Sequence, residues 1–182
     1  MRVLVASTVI LSLIPVVAFS GSPSPNSDAG LTASLAHNRK KMVRVLKHPF
    51  RVYQPGTTLC AAPVPAPPRS PHGDHWIHVF VSDQGRKAMF SGKGQYPVGS
   101  LILKQKFLDA QGKKTDFYTG MRKREPGFNP KLGDWEFFTL DATAKKVTSQ
   151  GKIAECMNCH QKYGKTDFVV RDYLAVAENG SL

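Results

Sequence analysis

The sequence predicts a mainly β domain of the α+β class: an antiparallel sheet with one helix before it and one short helix after it. Three observations carry this. Several runs of strand length are β-branched or aromatic, and Trp76–Val81 and Trp135–Leu140 are the clearest. Short turn-like segments separate them, as antiparallel neighbours require. Stretches with helical spacing of apolar residues flank the strands toward the two ends of the chain. The 182 residues suffice for one domain of ordinary size.

In chain order, Met1 to Ser20 reads as an export signal. Arg2 supplies the positive start, Val3 to Phe19 is almost wholly apolar, and Ala18-Phe19-Ser20 places small residues where a signal peptidase cleaves. An uncleaved membrane anchor is the alternative, and the segment is borderline in length for a span. Either reading puts the domain on the far side of the membrane, with a periplasmic location expected. Residues 21–48 form a linker and an N-terminal helix. Gly21 to Gly30 is a flexible Ser/Pro/Gly lead-in. The helix is expected over Leu31 to Lys47, from the spacing of Leu31, Leu35, Met42, Val45 and Leu46. The main domain occupies residues 49–182. Arg51 to Tyr53 is a short strand, and five prolines between Pro63 and Pro71 mark an extended loop. After the strand Trp76–Val81, a helix is expected over Asp83 to Phe90, capped by Ser82 or Asp83. Tyr96-Pro97-Val98-Gly99 is a turn. Strands follow at Ser100–Leu108, Phe117–Lys123 and Trp135–Leu140. Asp109–Lys114 forms the first turn between them and the Gly/Pro loop Pro126–Gly133 the second. Ile153 to Tyr163 is a short helix, and Phe168-Val169-Val170 closes the domain as strand or helix.

That last helix carries Cys156-Met157-Asn158-Cys159-His160. Two thiols three residues apart share one side of a helical turn. They can therefore add to the two vinyl groups along one edge of a porphyrin, and the following imidazole can ligate its iron. The pattern thus indicates covalently attached haem c with Cys156 and Cys159 as anchors and His160 as proximal ligand. A thioredoxin-like pair or half of a zinc site, completed by His72 and His75, are the competing readings. Cys60 is left over, as a buried small hydrophobe or a reactive or dimer-linking thiol.

The net charge of +12 bears on encounter, not on fold. A solvated basic surface, an acidic redox partner and an anionic membrane surface are all compatible with it. Nucleic acid is not expected, because no helix-turn-helix or aromatic RNA-binding signature occurs.

Four stretches in order resemble the cytochrome P460 family, including its β-sheet cytochromes c′. They are Trp76–Val81, Gly94–Lys104, Gly133–Phe138, and Cys156–His160 with Lys165–Val169. The resemblance implies a largely antiparallel domain, often a homodimer, and a haem with one histidine ligand and an open distal side. It also implies a small nitrogen-oxide ligand or substrate. Cytochromes P460 proper oxidise hydroxylamine, pass electrons to a soluble partner, and carry a lysine bonded to the porphyrin edge. The β-sheet cytochromes c′ lack that bond and bind nitric oxide. The cross-linking position falls on Lys104. Alternation puts Ile102, Lys104 and Lys106 on one strand face and Leu101, Leu103 and Phe107 on the other. Lys104 is then either a surface lysine or one facing the haem, where an unbonded ammonium is costly to bury. The family's distal carboxylate falls near Thr119, which cannot act as a base at neutral pH, with Asp116 close by. His78 falls where the family can place a distal arginine. It is a candidate donor or acid, or else an ordinary hydrogen-bonded strand histidine. Met89 and Met121 are conceivable sixth ligands, against the open site the resemblance implies. The aromatic residues Tyr96, Trp135, Phe137 and Phe138 are core groups first and haem-packing groups second.

Overall fold

The computed structural model of the chain describes residues 28–52 and 75–174. The expected export signal, Cys60, the proline-rich loop, His72 and Tyr53 lie outside the described residues. In order, the elements are α1 (Asp28–Asn38), β1 (Val43–Arg44), β2 (Phe50–Val52), β3 (His75–Val81), α2 (Asp83–Ser91), β4 (Leu101–Phe107), β5 (Thr115–Lys123), β6 (Trp135–Leu140), β7 (Val147–Gly151) and α3 (Ala154–His160). Short 3-10 turns occupy Arg39–Lys41, Pro130–Leu132 and Gln161–Thr166.

All seven strands join one antiparallel sheet. Strands β3 to β7 run as a meander, and β1 and β2 both pair with β3 on its other side. Because side chains alternate across a strand, the sheet sorts its residues into two buried faces. Ile77, Val79, Val81, Ile102, Met121 and Phe137 face one core, which α2, α3 and the C-terminal segment cover. Leu101, Leu103, Tyr118, Phe138 and Leu140 face the other, beneath Leu31 and Leu35 of α1.

This division explains why the first helix is shorter than its spacing predicts. Leu31 and Leu35 belong to one face, whereas Leu46 is buried on the other. One straight helix cannot serve both. It stops at Asn38, whose side chain bonds back to the Ser34 carbonyl, and Val43–Arg44 joins the sheet edge. Helix α2 starts after Ser82, but the Ser82 hydroxyl accepts the Leu101 N–H instead of capping the helix. Gly92, at φ +66°, closes it in the left-handed conformation that glycine adopts at little cost. Strand β7 has no counterpart in the sequence reading. Val-Thr-Ser-Gln-Gly lacks an apolar alternation because it is an edge strand with exposed side chains. Phe168–Val170 is neither strand nor helix. Asp167 and Phe168 both have positive φ, +52° and +62°, and the chain there is shaped by the contacts described below.

Candidate functional site

Helix α3 packs against the sheet with Cys156 and His160, four residues apart, turned inward and Cys159 exposed at the rim. Cys156 and His160 line a narrow cleft together with Ile102, Lys104, Thr119, Met121 and Phe137. His160 is 3% exposed, and its ring lies 5.1 Å from the Phe137 ring. Its Nδ1 stands 2.7 Å from the Phe168 carbonyl oxygen. A carbonyl can only accept, so Nδ1 carries the proton and Nε2 the lone pair. Burial pushes the His160 pKa down to about 4, helped by the Lys104 ammonium and resisted by the Phe168 bond. The imidazole is therefore neutral at neutral pH, the state in which it can bind a metal.

The opposite wall comes from the sheet. Register pairs Val79, Lys104 and Thr119 across three strands, so their side chains share the cleft face. This decides between the two readings of Lys104. Ile102 and Lys106 on this face are buried, and Lys104 between them is half-buried and lines the cleft. Burial lowers Lys104 to about 8, with Cys159, Asp172 and Cys156 acting in the other direction. Its Nζ sits 5.7 Å from the centre of the Tyr173 ring. Lys106 is fully buried one pleat further along, lowered to about 7 by burial and then by Lys104, with Nζ 4.5 Å above the Phe117 ring.

Thr119 is 6% exposed, and its hydroxyl oxygen has no hydrogen-bond partner in the structure. Buried hydroxyls are nearly always paired, so a group without a partner at a cleft wall points to a ligand. His78 is placed differently from the expectation. It neighbours Val79 on β3 and so projects from the opposite face to Lys104 and Thr119. There it packs edge-on to Phe107 at 5.5 Å, and its Nδ1 is buried with no hydrogen-bond partner. It is neither a cleft donor nor a satisfied strand histidine. Asp116, the other carboxylate near Thr119, is the extra residue where the pairing of β4 and β5 shifts, and it binds His75 Nε2 at 2.7 Å. No cluster of three His, Cys, Asp or Glu suited to a metal ion occurs among the described residues. Met121 lines the cleft, whereas the Met89 sulfur lies within 3.7 Å and 3.9 Å of the Tyr96 and Tyr173 hydroxyls.

Asp167 is the residue that sequence reasoning missed. Its carboxylate takes both Lys123 Nζ contacts, at 2.8 and 2.6 Å, and the Tyr96 N–H at 2.8 Å. Its carbonyl accepts the Trp135 indole N–H at 2.8 Å. Gly133, at φ +58°, passes so close that a Cβ there would stand 2.6 Å from the Asp167 carboxylate. Four separate stretches thus meet at one carboxylate, and the next residue, Phe168, supplies the carbonyl that orients His160. Tyr96, Trp135 and Asp167 all lie in stretches that carry the family resemblance, but only the fold shows that they touch.

The cleft thus offers a neutral imidazole with a fixed tautomer, the Cys156 thiol with Cys159 exposed three residues on, apolar walls and a buried hydroxyl without a partner. This donor set suits a haem, with His160 as ligand and the thiols at one edge. The sequence profile of the family described as Cytochrome P460 matches residues 64–171. No curated protein matches the chain.

Proposed function

Because this chain belongs to the cytochrome P460 family of haem-binding cytochromes, we infer that it holds one haem c, anchored by Cys156 and Cys159 and ligated by His160, and that it oxidises hydroxylamine. When bound, the haem supplies the redox couple and a coordination position for a small nitrogen compound. The chain's own residues do the rest. The Phe168 carbonyl keeps the His160 proton on Nδ1 and so presents Nε2 to the metal. Ile102, Met121 and Phe137 keep bulk water from the cleft. The Thr119 hydroxyl is placed to donate to, or accept from, a small bound molecule. Lys104, on the same wall, is the side chain proposed to bond the porphyrin edge. Electrons leave to a soluble acceptor, and the protein works as an exported, periplasmic domain in a homodimer.

The observation that carries this reading is the 2.7 Å bond from His160 Nδ1 to a backbone carbonyl, the usual second shell of a metal-binding histidine. The experiment is expression with haem-attachment machinery. A haem-stained band should survive denaturation and vanish in C156S/C159S. Proteolysis should yield a Lys104-porphyrin adduct, lost in Lys104→Arg, and purified protein should reduce an added acceptor when given hydroxylamine. A colourless wild-type protein refutes the reading.

One observation favours a second reading. The resemblance puts the family's distal carboxylate near Thr119, and threonine cannot act as a base at neutral pH. The alternative is a protein that binds nitric oxide without turnover. It predicts an ordinary haem c spectrum, no lysine adduct and no hydroxylamine-dependent reduction of the acceptor.

A further inference from the structure

Among the described residues, Phe90 is one of three large apolar side chains that are exposed, at 47%. It sits at the end of α2, one turn from Arg86 and Lys87, which share its side of the helix. Lys93 is exposed just beyond the helix, and Arg171 reaches in to donate to the Met89 and Phe90 carbonyls at 2.6 and 3.2 Å. Asp83 is the carboxylate on this stretch of helix. An exposed aromatic ring beside Arg86 and Lys87, with Lys93 and Arg171 close along the chain or by hydrogen bond, gives a basic surface with an apolar centre.

The patch is also connected inward. Met89, the neighbour of Phe90, is fully buried. Its sulfur meets the Tyr173 hydroxyl at 3.9 Å, and the Tyr173 ring lies 5.7 Å from Lys104 Nζ on the cleft wall. A continuous line of packed groups therefore runs from cleft to surface through Tyr173, Met89 and Phe90.

We propose that the C-terminal half of α2, with Lys93 and Arg171, is the docking surface for an acidic, soluble one-electron acceptor protein. This rests on the redox reading given above. Charge complementarity selects the partner: a basic ring attracts a negatively charged face and repels a basic one. The small apolar centre suits the brief contacts of electron carriers, which bury less area than stable complexes. An anionic membrane is a weaker match, because a single exposed phenylalanine offers little apolar area for insertion.

The test uses the reduced holoprotein mixed with an oxidised acidic blue-copper protein, with the second-order rate followed against ionic strength. Electrostatic steering predicts a rate that falls at least about tenfold between low and high salt. In R86E/K87E the low-salt rate should drop about tenfold and lose most of its salt dependence. K145E/K146E, at the exposed turn between β6 and β7, changes net charge equally and should stay within about twofold of wild type. Phe90→Ser should slow the reaction at high salt, where steering is absent. A small neutral oxidant should react equally with all four proteins, which shows the haem intact. Equal losses in the two charge-reversal variants overturn the assignment. So does loss of binding to anionic phosphatidylserine vesicles in R86E/K87E with the acceptor rate unchanged. A wild-type protein that reduces neither oxidant refutes the redox reading itself, and the docking surface with it.

Discussion

Replacing Asp167 by asparagine tests how the site is held. Asparagine keeps the shape and tolerates the left-handed backbone at φ +52°. It removes the negative charge that faces Lys123, leaving an ammonium that is 7% exposed. Breaking a buried pair from one side costs about 3–5 kcal/mol. Two features keep this case near the lower end. The asparagine carbonyl oxygen still accepts one Lys123 bond, and the Trp135 ring, 5.1 Å from Nζ, stabilises the cation. The expected loss is therefore about 3 kcal/mol. With a urea slope of about 2 kcal/mol/M, the unfolding midpoint should fall by about 1.5 M. The assay is urea unfolding of the holoprotein, wild type against D167N, K123M and D167N/K123M. The double variant leaves no buried charge, so it should recover at least about 2 kcal/mol relative to D167N. A D167N loss under about 1 kcal/mol, or losses that simply add in the double variant, would refute the claim that this ion pair fixes the loop.

Other expectations follow from the same geometry. At Gly120 an added Cβ would collide with the Phe138 ring and stand 2.8 Å from the Ile102 carbonyl oxygen. Gly120→Ala should cost about 1–3 kcal/mol in urea unfolding, since the backbone carbonyl cannot step aside; an unchanged midpoint contradicts the packing. The His78 pKa is lowered by burial, then by Arg44 and His48. A histidine with a depressed folded pKa binds its proton more readily when unfolded, so its contribution to stability is present above the ordinary value of 6.5 and is lost as pH falls below it. His78→Phe should therefore flatten the acid side of the stability profile, and an unaltered profile counts against it. Changing Thr119 to valine removes the unpartnered hydroxyl from the cleft wall. Stability should hold or rise slightly, while affinity for a small polar haem ligand falls, as read by optical titration. Equal affinity in both proteins means the hydroxyl does not reach the ligand.

The motif Cys156 to His160 was legible because two thiols three residues apart followed by an imidazole form a pattern that local spacing alone defines. The strands at 76–81, 101–107 and 135–140 were legible because they are largely buried and therefore rich in aliphatic or aromatic residues. Strand β7 was not, since an edge strand needs no such composition. The sequence alone indicated a β domain ending in a short helix that carries Cys156 to His160, and it singled out Lys104. It could not decide which way Lys104 faced, because alternation gives two faces without saying which is covered. The tertiary structure decided that by packing α3 and Tyr173 over one face and α1 over the other. It likewise moved His78 away from the cleft and drew Tyr96, Lys123, Trp135 and Asp167 to a single point. Contacts 32 to 71 residues apart along the chain leave no local pattern to read.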